Sequence, residues 1–402
     1  MKIPRFHVFA ASMTALSVAL SVPAYAQQTG STGASAAAPQ TDDFHGTEEI
    51  VVTAPYVERL DILSGTSAVT GDVLAEKTRA QLGDILSSLP GVSATSFSPG
   101  ASRPVLRGYQ GNRVAVLTDG IGNIDASNTS ADHAVTIDTL TVERIEVLRG
   151  PAVLLFGGQA VGGAVNALDK RIPRAIPDEA VHVDALAGYG SAAHDWSGGA
   201  SVDVPLTERV VVHLDGSYRN SDDLRTGGYI LAPSLRAEVL DFAAEETSEG
   251  NLDEAAEARE LADQSGRIPN SAVKSWTAAG GIAFIDDGGN MGLSYSIYDT
   301  NYGIPARPGT THGHDGGEEE APVTIGMRQY RFDVRGELDL GDGVFEKLRL
   351  RAGYANYSHT EFEGDEIGTI FNSKGFEGRV EFIQNDRGGW RGASGAQYQS
   401  RN

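Results

Sequence analysis

From about Val181 onward the chain alternates apolar and polar residues with a period of two, in runs long enough to cross a bilayer as strands. Val210, Val212, Leu214, Gly216 and Tyr218 share one face, and Val211, His213, Asp215, Ser217 and Arg219 the other. Tyr330, Phe332, Val334, Leu338 and Leu340 alternate with Arg331, Asp333, Arg335, Glu337 and Asp339. Leu348, Leu350, Ala352 and Tyr354 alternate with Arg349, Arg351 and Gly353, and Met291, Leu293, Tyr295 and Ile297 repeat the pattern. A soluble β-sandwich alternates as well. Here, however, charges fill one face of several strands, as a watery lumen tolerates, and tyrosines recur near strand ends, as interfacial girdles do. The pattern therefore predicts a transmembrane antiparallel β-barrel with its apolar face outward.

Two long insertions interrupt the strands. Residues 235–264 are acidic, rich in Ala and Glu and helix-prone, and residues 303–322 carry a His-Asp-Glu cluster. Long loops at one end and short turns at the other suit a barrel of this type. Roughly 230 residues follow Lys170, room for about nine or ten strands with their loops. A barrel that small has a filled or barely open interior and could not enclose a domain of about 110 residues. The chain also closes on Tyr398-Gln399-Ser400-Arg401-Asn402, without a terminal aromatic residue, so the barrel is expected to be incomplete here and the chain a fragment.

The N-terminus carries an export signal. Lys2 and Arg5 are followed by an apolar run over 6–19, too short to span a bilayer, and then by the small-x-small site Ala24-Tyr25-Ala26. Cleavage is expected after Ala26. Residues 27–47 read as a flexible linker of Ala, Ser, Thr and Gly. In 48–56 the β-branched run of Glu49, Ile50, Val51, Val52, Thr53 and Ala54 favours an extended chain, and Pro55 pushes Ala54 the same way. Such a segment on a tether can add a strand to a partner's sheet edge.

Residues 57–170 read as a small α+β domain. Thr78-Arg79-Ala80-Gln81 fits a capping box, and the helix it opens puts Leu82, Ile85, Leu86 and Leu89 on one face before Pro90-Gly91 stops it. Val114 to Leu117 predicts a buried strand, Asp119-Gly120 a tight turn, and Val142–Leu148 another strand.

Composition narrows the function classes. There are no cysteines, which excludes disulfides, thiolate metal sites and cysteine nucleophiles. The balance of 54 acidic against 32 basic residues disfavours nucleic acid as a partner, leaving solubility or cation attraction as its meaning. The glycines at 157–163 lack a following Lys-Ser/Thr pair, so a phosphate loop is rejected, and neither G-x-S-x-G nor H-E-x-x-H occurs. His312 and His314 with Asp315, Glu318, Glu319 and Glu320 supply imidazole and carboxylate donors that suit zinc, nickel or copper(II). His359, Glu361, Glu363, Asp365 and Glu366 form a second acidic patch, read as an exposed polar loop, and His182, His194 and His213 as lumen-facing or turn residues.

In order, these segments resemble TonB-dependent receptors. Glu49 to Ala54 resembles a TonB box, and Leu86-Ser87-Ser88-Leu89-Pro90-Gly91-Val92 the end of the family's plug helix. Leu106-Arg107-Gly108 with residues 113–120 resembles the central plug strands, and residues 142–157 with Gly162-Gly163-Ala164-Val165-Asn166 the last plug signature. The resemblance implies a plug domain over 57–170 inside a barrel of about 22 strands, with residues 178–402 as its N-terminal part. It implies outer-membrane localisation, TonB of the inner membrane as partner at Glu49–Ala54 by strand addition, uptake of a scarce ligand, and no enzymatic step. A narrower resemblance, to zinc-uptake receptors, rests on Gly266-Arg267-Ile268-Pro269-Asn270-Ser271, Tyr302-Gly303-Ile304-Pro305, the His/acid cluster at 312–320, and Phe362-Glu363-Gly364-Asp365-Glu366-Ile367-Gly368. It implies zinc or another divalent cation as cargo and no resident cofactor; from their carboxylates and imidazoles, residues 312–320 are expected to act as a low-affinity external trap for such a cation. A ferric siderophore or heme is the alternative cargo, and an uncoupled structural or adhesive barrel the alternative class.

Overall fold

The computed structural model describes residues 66–150, 153, 156, 160–305, 322–390 and 392–402. The export signal, the linker, the segment Glu49 to Ala54 and the cluster at 312–320 lie outside them.

The first domain is built on β1 (Ser67–Thr70), α1 (Gly71–Lys77), α2 (Leu82–Leu86), β2 (Val92–Ala94), β3 (Pro104–Leu106), β4 (Val114–Thr118), β5 (Ile121–Gly122), β6 (Val142–Leu148) and β7 (Gly163–Asp169). Five strands form one sheet in the order β1-β6-β7-β4-β5, with β4 and β7 parallel and the other pairs antiparallel. Its core joins Val69, Leu82, Ile85, Leu106, Ile145 and Val165, so the apolar face read from 82–86 does turn inward. The capping box does not form. Gln81 stands at the helix N-cap without a side-chain cap bond, because its amide oxygen accepts from the Val135 N–H at 3.3 Å. Thr78 instead closes the preceding helix, donating to the Leu74 carbonyl at 2.9 Å. The Asp119-Gly120 turn is as expected, with φ of 49° and 80°, both positive as a two-residue hairpin turn requires.

The rest is a nine-stranded antiparallel sheet. Its strands are β8 (His182–Gly190), β9 (Asp195–Thr207), β10 (Val210–Ser221), β13 (Val273–Asp286), β14 (Gly289–Gly303), β15 (Val323–Asp339), β16 (Phe345–Glu363), β17 (Glu366–Gln384) and β18 (Ala393–Arg401), paired in chain order. Between β10 and β13 the ribbon of β11 (Arg225–Tyr229) and β12 (Ser265–Arg267) carries α3 (Pro233–Glu249) and α4 (Leu252–Asp263). This is the helix-prone insertion. The sheet is open, with β8 and β18 as its edges. No helix among the described residues is long and apolar enough to cross a membrane.

The period-2 reading holds strand by strand. On β10, Leu214 is 55% exposed while Val211 and His213 are fully buried. The outward face is an apolar belt topped by aromatic residues. Tyr295, Phe332, Tyr354 and Phe376 stand opposite one another across β14 to β17. Tyr218 faces Trp276 in the same way, and the Tyr189 and Trp196 rings lie 4.6 Å apart. Such a row marks a membrane–water interface. The inward face is polar and packed against the first domain: Arg331, Arg335, Glu377, Arg379 and Glu381 are all buried there.

The connection between the two parts lies against glycines of the wall. A Cβ on Gly281 would stand 1.7 Å from the Arg171 carbonyl oxygen, and one on Gly292 2.5 Å from Ile172 Cγ2. Arg171 also reaches Asp215 at 3.2 Å and Asp169 at 3.7 Å.

Candidate metal-binding site

The site read from the sequence, His312 to Glu320, lies outside the described residues. Among the described residues, His133, His359 and Glu361 converge, with one ligand atom from each lying within 4.8 Å of the others. His133 comes from the loop of the first domain between β5 and β6, and His359 and Glu361 from the inward face of β16. Positions i and i+2 of a strand share a face, so the pair is presented together. The reading of His359 and Glu361 as exposed loop is thus corrected. Strand β16 runs on to Glu363, which keeps odd-numbered residues turned inward; His359 is 1% exposed and Glu361 half-buried. Glu363, Asp365 and Glu366, at the turn, are exposed as expected.

The loop that carries His133 is tied shut by Asp125. Its carboxylate accepts from the Ser127 N–H and hydroxyl at 3.1 and 2.7 Å, the Thr136 N–H at 3.1 Å and the Asn123 amide at 2.7 Å. Burial pushes this carboxyl above its usual range, against the lowering effect of those hydrogen bonds. Small residues of the first domain, Ala101, Ala126 and Ala134, then let the loop pack on Tyr302, Ile325 and Tyr357 of the nine-stranded wall.

The hydrogen bonds orient both imidazoles. His133 Nδ1 faces the Ala126 carbonyl at 3.0 Å and the Thr129 hydroxyl at 2.8 Å. A carbonyl only accepts, so Nδ1 carries a proton, and in the neutral ring Nε2 is the nitrogen left to ligate. That Nε2 lies 2.9 Å from Glu361 Oε1. His359 Nδ1 is 2.6 Å from the Tyr357 hydroxyl, and its Nε2 is 3.2 Å from the same Oε1. Asp132 Oδ1 stands 4.0 Å from His133 Nε2. Two imidazole nitrogens aimed at one carboxylate oxygen call for positive charge between them, whether a second proton or a cation. The outer nitrogen of each ring is held by an oxygen partner, the arrangement that fixes tautomer and orientation in metal-ligating histidines. Ligands in a tetrahedral zinc shell with bonds of ~2.0 Å are about 3.3 Å apart, so the observed 2.9 and 3.2 Å need open by only a few tenths of an ångström. Two imidazoles and a carboxylate suit zinc, nickel or copper(II). The ring of Phe371, 4.5 Å from His359 and 5.1 Å from His133, gives the pair an apolar side.

Sequence reasoning missed His133 because nothing local marks it. The available signal was His359-x-Glu361 on the inward face of an alternating strand. The three histidines read as lumen-facing or turn residues are found so. His213 is turned inward between Asp203 at 2.8 Å and Asp215 at 3.2 Å, and His194 sits in a turn at φ 46°, 3.1 Å from Asp222. His182, at the start of β8, pairs with Glu179 at 3.0 Å. Of the glycine cluster, Gly163 serves packing. A Cβ on Gly163, at φ 135°, would stand 2.6 Å from Leu106 Cδ1.

Residues 58–164 match the family model described as the TonB-dependent receptor plug domain. Over 124 residues the chain is 33% identical to a hemin receptor of Yersinia pestis, covering 30% of this chain and 18% of that protein. Over 151 residues it is 31% identical to the vitamin B12 transporter BtuB of Vibrio vulnificus, covering 37% of this chain and 24% of that one. Among solved structures it is similar to the copper transporter OprC, with a TM-score of 0.59, 16% identity, and coverage of 84% of this chain and 46% of the other. At that identity the likeness is one of fold. The chain spans less than half the length of each of these three proteins.

Proposed function

We propose, from the premise that this chain carries the plug domain of a TonB-dependent receptor together with strands of such a receptor's barrel fold, that it is an outer-membrane receptor for uptake of a divalent cation such as zinc. The observation that carries this reading is the meeting of His133, His359 and Glu361 where plug and wall touch. The cation is cargo, not a resident cofactor. The mature protein begins after Ala26, and TonB pairs with Glu49, Ile50, Val51, Val52, Thr53 and Ala54 as an added strand and draws on the plug. The loop with His312, His314, Asp315, Glu318, Glu319 and Glu320 gathers cations from outside by its negative potential and passes them to the buried cluster. The chain's own groups hold, orient and release the ion, and no bond is made or broken. The relatives are named for hemin and vitamin B12, so it is the donor set, and not the likeness to them, that argues for a bare cation.

The test is growth of cells whose uptake of zinc depends on this receptor, under zinc limitation. His133→Ala should abolish the rescue by added zinc that the native receptor supports, with the variant still present in the outer membrane. Removal of residues 49–54 should do the same while leaving surface binding intact. Undiminished zinc-dependent growth of His133→Ala would refute the cation reading, and undiminished growth without 49–54 would refute energy coupling.

A further inference from the structure

We infer that Tyr302 is the positioning residue of the cluster: its hydroxyl, held between the two peptide groups that flank His133, fixes the plug imidazole against the carboxylate of the wall. The inference rests on the reading of His133, His359 and Glu361 as a cation site.

Tyr302 projects inward near the end of β14 and is 1% exposed. Its hydroxyl donates to the Asp132 carbonyl at 2.9 Å and accepts from the Ala134 N–H at 2.9 Å. One hydroxyl therefore satisfies a buried acceptor and a buried donor on either side of a single residue. With the flanking peptides fixed by Tyr302 and Nδ1 fixed by the Ala126 carbonyl, the His133 ring has one place to be, with Nε2 at 2.9 Å from Glu361. The tyrosine itself has no freedom to drift. Gly100 of the plug approaches so closely that a Cβ there would stand 2.4 Å from Tyr302 Cβ, and Ala101, Ala134, Val273 and Ile325 close the remaining sides. Barrel strand and plug loop are thus joined at the backbone beside the cluster as well as through its ligands.

A merely structural tyrosine would contribute to stability and leave ligand geometry alone. The two roles separate when the full-length receptor in detergent is titrated with zinc chloride, and with cobalt(II) followed by its visible absorption. Tyr302→Phe keeps the ring and removes both hydrogen bonds. It should weaken zinc binding 10- to 100-fold, the range for loss of a group that orients a ligand, and change the cobalt band shape. Tyr298→Phe, a buried tyrosine on the same face of the same strand, should change neither. Because Tyr302 acts through His133, adding Tyr302→Phe to His133→Ala should cost no further affinity. Native affinity in Tyr302→Phe, or losses that simply multiply in the double variant, would overturn the inference. If His133→Ala itself left zinc affinity unchanged, the cation reading would fall and this inference with it. A large effect of His133→Ala beside a silent Tyr302→Phe would remove the inference alone. Should Tyr302→Phe not accumulate, Gly100→Ala displaces the ring while keeping its hydroxyl. It should show the same loss, and native affinity there would overturn the inference.

Discussion

Replacing Gly281 with alanine is expected to loosen the plug's attachment to the wall without touching any candidate ligand. The new Cβ would stand 1.7 Å from the Arg171 carbonyl oxygen, where ordinary contact begins at 3.4 Å, so one of the two backbones must give way by about the difference. Gly281 is held in mid-sheet between His213 and Ser294, and the connecting segment is the freer of the two. Moving that segment draws Arg171 from Asp215, now 3.2 Å away, and leaves the buried carboxylate facing His213 alone. Overpacking costs about 1–3 kcal/mol, and breaking a buried ion pair about 3–5 kcal/mol when nothing compensates. The arginine's length recovers part of the second cost, so about 3 kcal/mol is expected. At 1.4 kcal/mol per decade that is roughly a hundredfold faster opening of the plug's last strand. The assay is amide hydrogen exchange over β7 and residues 170–174 in the detergent-solubilised receptor, with Gly227→Ala, which meets nothing within 4 Å, as control. Protection equal to the native protein in Gly281→Ala would show that the segment does not lie against the wall as described.

Two further outcomes concern charge and the His/acid cluster at 312–320. Burial lifts the Asp169 carboxyl to about 6, more than Arg171 offsets. An unfolded aspartate titrates near ~3.9, so the folded plug binds this proton more tightly and loses stability as pH rises from about 4 to about 6. Asp169→Asn, which can keep the bond from the Arg171 N–H, should therefore raise the plug's calorimetric unfolding temperature at pH 7.5 and leave it unchanged at pH 4; no gain at pH 7.5 would show that the ion pair wins. Changing His312 and His314 together to Ala should lower zinc uptake at limiting zinc and its dependence on pH near 6.5, where imidazole gives up its ligating form. Equal calorimetric titrations of the two proteins, in affinity and in pH dependence, would mark the loop as merely solvated.

How much of this was legible depends on the range of the interaction. The faces of β10, β14, β15 and β16 follow from a period of two, which a strand imposes on its own neighbours. The Asp119-Gly120 turn and the helices at 233–263 are equally local, and each is found where the residues place it. Thr78-Arg79-Ala80-Gln81 misleads because a capping box competes with tertiary partners, and Val135 takes the Gln81 oxygen first. His359 departs from its local sequence pattern for a related reason. The acidic residues after it suggested a loop, whereas β16 outlasts the membrane belt and carries the histidine inward, where the plug covers it. The partner, His133, lies more than two hundred residues away in the chain. No periodicity reaches across that gap, and only the seating of one domain in another brings the two rings to 4.5 Å.

One imidazole of the cluster rides on the plug while the other two donors are fixed to the wall. The separation of His133 Nε2 from Glu361 Oε1, 2.9 Å in the seated arrangement, is therefore a gauge of how deep the plug sits. For an ion lodged there, grip and position are one variable. On the proposed reading, a withdrawal of an ångström or two would strip the coordination shell from three donors to two on a single strand, and would let the ion go at the start of the stroke. A receptor working so would need no separate gate residue to time the handover, since the motion that opens the way would also be the motion that dissolves the hold.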